Sequence, residues 1–126
     1  MLNEFPVCPS IPVTDIERAV DFYQNKLGLT KRDVEMEEEA VMFEAGKGTV
    51  LYLYKRGPSK ADHTLASFAV DDIEKVVDEL TAKGVSFEHY DMEYIKTDEK
   101  GIATMGETKS AWFKDPDGNI LGLAQM

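Results

Sequence analysis

Two stretches decide the fold: PVTDIERAVDFYQNK at residues 12–26 and AVDDIEKVVDELTAK at residues 69–83. Set one over the other at an offset of 57, they share Val13/Val70, Asp15/Asp72, Ile16/Ile73, Glu17/Glu74, Val20/Val77, Asp21/Asp78 and Lys26/Lys83. Arg18/Lys75 keeps its charge, and both stretches then run into glycine, Gly28 and Gly84. Self-similarity at a fixed spacing means one supersecondary unit used twice. Each stretch reads as a strand entering a helix. Thr14 with Glu17, and Asp71 with Glu74, form the S/T/D-x-x-E pattern of an N-terminal cap. Ile16, Ala19, Val20, Tyr23 and Leu27 make one apolar stripe at helical spacing, and Ile73, Val76, Val77 and Leu80 make its counterpart. The glycines then stop the helices by tolerating a left-handed backbone.

Working outward, short extended segments follow each helix. In the first copy they span about 31–37, 39–45 and 49–56, with Gly46 and Gly48 turning the last pair. In the second they span about 86–91, 110–114 and 120–125, with Asp115-Pro116-Asp117-Gly118-Asn119 as the last turn. The order is βαβββ twice, an α+β fold. One domain is expected, with module one at about 1–57, module two at about 63–126, and any ligand at the seam between them. The polar segment 92–108 breaks the symmetry. It reads either as a lid carrying Tyr94 and Lys96 or as a plain surface loop.

Composition narrows the function. The chain has 126 residues, enough for one domain with its own core. Its net charge of -10 repels phosphate backbones and anionic membranes, so nucleic-acid binding is not expected, and neutral or cationic ligands are favoured. The single cysteine, Cys8, excludes an intrachain disulfide. No apolar run reaches the ~18 residues of a membrane span. Met1–Glu4 show no leader pattern, so a cytoplasmic protein is expected.

Three motifs carry a resemblance. Ile11-Pro12-Val13-Thr14-Asp15-Ile16-Glu17-Arg18-Ala19 with Phe22-Tyr23 is similar to the opening of a vicinal oxygen chelate module. Phe68-Ala69-Val70-Asp71-Asp72-Ile73-Glu74 resembles the opening of the second module, and Phe113-Lys114-Asp115-Pro116-Asp117-Gly118-Asn119-Ile120 resembles its ending. That superfamily includes glyoxalase I, extradiol dioxygenases, fosfomycin-resistance enzymes and bleomycin-resistance proteins. The resemblance implies two βαβββ modules forming a curved mixed sheet around a central cavity, helices on the convex side, and a homodimer. It does not imply a reaction, because the shared motifs carry caps, turns and core contacts.

The resemblance also implies where a divalent metal would be held. The corresponding positions are Cys8, about Tyr52, Leu65 and Gly122. Leucine and glycine have no donor atom, and tyrosine, with a pKa near 10, rarely ligates at neutral pH. No cofactor is therefore expected. The chain's two histidines are His63 and His89. His63 and Glu93, with Tyr52, are the residues to suspect only if a metal site has been relocated.

Strand alternation assigns a ligand-facing side instead. It holds Cys8, Ser10, Tyr52, Tyr54, Leu65, Ser67, Trp112 and Gly122, small or aromatic and almost uncharged. The opposite positions, Ile11, Val13, Leu51, Leu53, Phe68, Val70, Leu121 and Leu123, are apolar and should pack under the helices. Cys8 reads as a buried small residue, since nothing in the sequence supplies a base to activate its thiol. The aromatic residues either stack on a flat ligand or simply fill space. The leading expectation is a small-molecule binding protein without a metal, its ligand aromatic and neutral or cationic. The alternative is a glyoxalase- or dioxygenase-like metal enzyme with a relocated site, and a third reading is a regulatory subunit with a filled cavity.

Overall fold

The computed structural model describes residues 1–32 and 38–126. Two compact units divide at Ser59/Lys60. In the first, β1 (Ser10–Val13), α1 (Ile16–Val20), β2 (Thr30–Arg32), β3 (Ala40–Glu44) and β4 (Val50–Lys55) follow in that order. Their sheet runs β1-β4-β3-β2, with β1 parallel to β4 and the other pairs antiparallel. In the second unit, β5 (Thr64–Ala69), α2 (Ile73–Ala82), β6 (Ile102–Met105), β7 (Thr108–Lys114) and β8 (Ile120–Gln125) give the order β5-β8-β7-β6. Each unit is a βαβββ module with a four-stranded mixed sheet, as the repeat predicts.

One face of each sheet is the core. In the first unit Ile11, Val13, Val41, Phe43, Leu51 and Leu53 are buried, together with Ala19, Phe22 and Tyr23 from the helical segment. Tyr23 stacks on Phe43 with ring centroids 5.8 Å apart. In the second unit Ala111, Phe113, Leu121 and Leu123 are buried together with Ile73, Val77 and Leu80 of α2. Each large side chain buried this way stabilises the fold by roughly 1.5–3 kcal/mol. Phe68 and Val70 of the expected core set are only half-buried.

The helices depart from the sequence reading in two ways. Both N-caps sit one residue later than expected. Asp15 Oδ1 accepts from the Arg18 N–H at 3.1 Å, and Asp72 Oδ1 accepts from the Lys75 N–H at 3.2 Å. A carboxylate reaches the third helical N–H from there, while the Thr14 hydroxyl accepts from Arg18 Nη2 instead. The first helix also widens after Val20 into a π-helical turn over Asp21–Lys26. The Leu27 N–H donates to Phe22 O, five residues back. The wider turn advances the stripe, so Phe22 enters the core while Val20 and Leu27 are half-buried. Gly28 and Gly84 end the helices at φ 75 and φ 92, as expected of left-handed caps. α2 has a further cap that no local pattern announces: Gln125 Oε1 accepts from the Ile73 N–H at 2.8 Å.

The strands are corrected in the same spirit. The expected strand 31–37 is β2 as far as Arg32, and its remainder lies outside the described residues. The expected strand 86–91 makes only isolated bridges, Phe87 with Phe113 and Asp91 with Lys96. The strand that completes the second sheet is β6, inside the segment read as one polar insertion. The turn at 115–119 forms as expected around a buried carboxylate. Asp115 Oδ1 accepts from the Asp117 and Asn119 N–H groups, and Oδ2 accepts from Asn119 Nδ2, all at 2.9 Å. Asp115 and Asn119 are 5% and 1% exposed, so these bonds replace the water both side chains lose.

The capping geometry is checked by two neighbouring substitutions. Asp72→Ala should cost about 1 kcal/mol and lower Tm by about 3–5 °C, whereas Asp71→Ala should leave Tm within about 1 °C. Equal losses in thermal melts would mean that the cap is not at Asp72.

Candidate functional site

The face of each sheet without a helix carries the positions that strand alternation assigns to a ligand. In the first unit the register aligns Ser10, Tyr52, Met42 and Arg32 in one row across the four strands. Pro12, Tyr54 and Ala40 form the next row. The rings of Tyr52 and Tyr54 stack with centroids 6.3 Å apart and planes 17° from parallel. Both are half-buried. At the β2 edge, Arg32 Nη2 lies 2.8 Å from Glu44 Oε1, and its Nη1 donates to Met42 Sδ at 3.5 Å. The row therefore runs from a hydroxyl, over an aromatic, to a neutralised ion pair.

Cys8 lies just before β1 rather than in it, half-buried instead of enclosed. Its Sγ donates to Pro9 O at 3.5 Å. No histidine occurs in the first unit to act as a base for it.

In the second unit the equivalent row is Ser67, Gly122 and Trp112. A bulge alters its neighbours. Thr64 pairs with Ile120 and Ala66 with Leu121, so Leu65 is an extra residue and the alternation from Leu65 to Ser67 does not run unbroken. Thr64 comes to the Ser67 face instead. A β-carbon on Gly122 would lie 2.7 Å from Ser67 Oγ and 3.5 Å from both Thr64 Cγ2 and Trp112 Cδ1. Tyr90 joins this group edge-on to Trp112, with ring centroids 5.5 Å apart. Its backbone is tied to Thr97, whose Oγ1 accepts from the Tyr90 N–H at 2.8 Å. Lys114 Nζ pairs with Glu88 Oε1 at 3.2 Å beside it. Burial, with the Glu88 carboxylate adding to it, holds the Tyr90 phenol above the usual 10.0, and Lys114 opposes the shift.

Sequence reasoning missed Thr64 and Tyr90. The bulge hides Thr64. Tyr90 was legible in principle, since it lies three residues after the buried Phe87 and so falls on the opposite face of an extended segment.

A metal does not fit the positions that the resemblance implies. Leu65 has no donor, and Gly122 is a buried glycine against which Ser67 Oγ is already packed. His63 is a surface side chain with Nδ1 3.8 Å from Asp62 Oδ1, and Glu93 is exposed. Among the described residues no group of three or more His, Cys, Asp or Glu side chains could hold a metal ion. Tyr94 is 82% exposed, and Lys96 is exposed on the short bridge to Asp91. A separate groove of about 400 Å³ lies beside α2, lined by Val77, Phe87 and His89 among others. It is spanned by the ion pair of Lys100 with Asp78 (3.2 Å), which holds Lys100 above its usual value through the hydrogen bond they share.

The comparisons agree with this architecture. The chain belongs to the Glyoxalase/Bleomycin resistance protein/Dioxygenase superfamily, whose family model matches residues 7–123. It is 28% identical over 127 positions to the uncharacterized protein YraH of Bacillus subtilis (strain 168), covering 90% of this chain and 92% of that one. The crystal structure of TnmS3, an antibiotic binding protein from Streptomyces sp. CB03234, is similar at 25% identity and TM-score 0.64, covering 94% and 92%. Lactoylglutathione lyase from Agrobacterium tumefaciens shares the fold at 20% identity and TM-score 0.67, covering 96% and 92%. No helix among the described residues is long and apolar enough to cross a membrane.

The environment of Tyr90 makes a pH prediction. A phenol whose pKa is raised on folding holds its proton more tightly in the folded state. That stability is fully present below the ordinary tyrosine value and is lost as pH rises through the folded one. Denaturant melts of the wild type should weaken between about pH 9 and about pH 11 more than those of Tyr90→Phe. An identical alkaline loss in both proteins would show that Tyr90 is not the group responsible.

Proposed function

We propose that this chain is a small-molecule binding protein that holds a flat, neutral or cationic aromatic ligand without a metal. Each unit taken by itself offers such contacts on its helix-free face: Tyr52 and Tyr54 with Ser10 in the first, and Trp112 and Tyr90 with Ser67 in the second. The observation that carries the reading is the side chain at each position where the family would hold a metal. Leu65 and Gly122 provide no donor, and Tyr52 provides a ring already stacked on Tyr54. Stacking and a few hydroxyl bonds are what such faces offer a ligand. The net charge of -10 favours cations and neutral molecules over anions. The likeness to an antibiotic binding protein at 25% identity is consistent with this class. Cys8 and Tyr94 are expected to tune access rather than to react.

Trp112 is the only tryptophan in the chain and reports binding directly. Aminoacridine as a cation, β-naphthol as a neutral ring and naphthalene sulfonate as an anion form a sufficient panel. The first two should quench Trp112 and raise Tm, and the third should do neither. Tyr90→Ala, in the same unit as Trp112, should weaken binding by up to about tenfold, the equivalent of ~1.4 kcal/mol of stacking. Absence of binding by both aminoacridine and β-naphthol below about 1 mM would remove the reading. So would a stoichiometric divalent metal that survives a chelator and is lost in His63→Ala, which would point to a relocated metal site.

A further inference from the structure

We infer that Gly122 is a positioning residue whose missing side chain lets the Ser67 hydroxyl and the Trp112 indole act together on one ring. The ligand class is thereby narrowed to flat aromatics that carry an oxygen substituent at the edge. The inference rests on the binding-protein reading above and deepens it.

Three observations carry it. First, Ser67 Oγ and Trp112 Cδ1 both lie within 3.5 Å of the point where a Gly122 β-carbon would stand. Any side chain there would sit 2.7 Å from the hydroxyl, closer than real β-carbons approach a neighbour, so Ser67 would have to turn away. Second, no hydrogen bond among the described residues engages the Ser67 hydroxyl, and Ser67 is exposed on its strand. It is therefore able to donate to a carbonyl or phenolate oxygen, or to accept from a phenol. Third, the indole beside it is held in place. Tyr90 meets it edge-on at 5.5 Å, and the Glu88 N–H donates to Trp112 O at 2.8 Å, fixing the strand that carries it. Cδ1 is the indole carbon bonded to Nε1, so the polar edge of the ring is the one nearest Gly122. A stacking surface and a free hydroxyl at one point recognise a ring together with its edge substituent. Neither group does so alone.

The copy relationship supports the same conclusion. Ser10 and Ser67 occupy equivalent places in the two repeats. In the first unit the strand beside the serine presents Tyr52, and the next presents Met42. In the second unit the bulk has moved one strand over, to Trp112, and the strand beside the serine is bare at Gly122.

The test compares β-naphthol with naphthalene by Trp112 quenching, in the full chain and in Ser67→Ala, Gly122→Ala and Ser86→Ala. The wild type should prefer β-naphthol by about fivefold, the worth of one hydrogen bond. Ser67→Ala should erase that preference while retaining naphthalene binding, and Gly122→Ala should erase it by displacing the hydroxyl. Ser86→Ala, at an exposed serine of the separate groove beside α2, should leave the preference intact. Because Ser67 is exposed, its alanine variant is expected to fold even where Gly122→Ala does not. Equal binding of the two probes by the wild type, or an undiminished preference in Ser67→Ala, would overturn the inference while leaving the binding-protein reading standing. Failure of both probes to bind while aminoacridine still binds would overturn the inference alone, and failure of aminoacridine as well would remove the two together.

Discussion

Alternation of side chains along a β-strand is the constraint on which everything else in this molecule depends. A strand whose odd positions must pack beneath a helix has only its even positions left to vary. In β1 the buried pair is Ile11 and Val13; in β4 it is Leu51 and Leu53; in β8 it is Leu121 and Leu123. A slip of one residue in any of these strands would expose two such side chains and bury their neighbours. At roughly 1.5–3 kcal/mol for each large side chain, that cost approaches the whole stability of an ordinary domain within two strands. The register is therefore held firmly by the core side, and the ligand side inherits fixed positions without having to specify them.

Fixed positions explain how the two copies can keep one scaffold and present different chemistry. The cap aspartates Asp15 and Asp72 hold equivalent N–H groups, and the serines Ser10 and Ser67 stand at equivalent places beside them. The flanking positions have diverged, to tyrosine and methionine in one copy and to glycine and tryptophan in the other. Nothing in the core opposes such a change, since these side chains do not pack under the helix. A metal site is more demanding. It needs several donors at once, and a single glycine or leucine in the set removes the chelate. Aromatic contact is less demanding and survives piecemeal substitution, because each ring contributes on its own.

The parts legible in the sequence were those set by period and repetition. The βαβββ order, the buried face of β1, β4 and β8, the glycine stops and the 115–119 turn all follow from local patterns that the structure repeats. The errors occur where a neighbour decides. Two adjacent acidic or hydroxyl residues precede each helix, and only the reach of the carboxylate to the third N–H selects Asp15 over Thr14 and Asp72 over Asp71. The π-helical turn depends on where Phe22 finds space against Tyr23 and the sheet. β6 is a four-residue edge strand with only its first two residues buried, too short to show a period amid charged neighbours. The bulge at Leu65 carries no local mark, so alternation counted through it put Leu65 where Thr64 belongs. Of the ligand-side residues, Tyr52 and Tyr54 share a face as alternation required, and Tyr90 entered through a bridge to the sheet rather than through a strand.

Specificity in such a face cannot come from the aromatic surface, because every flat ligand has a π-face to offer. It has to come from the few polar atoms that stand beside that surface. The energetics of hydrogen bonds make those atoms decisive in an asymmetric way: a bond that is made adds little, but a polar group covered and left unpaired costs more than the bond is worth. A ligand that covers the Ser67 hydroxyl without engaging it is penalised, because the hydroxyl loses its water and gains no partner in return. The glycine at 122 matters for the same reason. By removing one methyl's worth of bulk it brings a hydroxyl to the margin of an indole, and a surface that would accept any ring becomes one that asks what the ring carries.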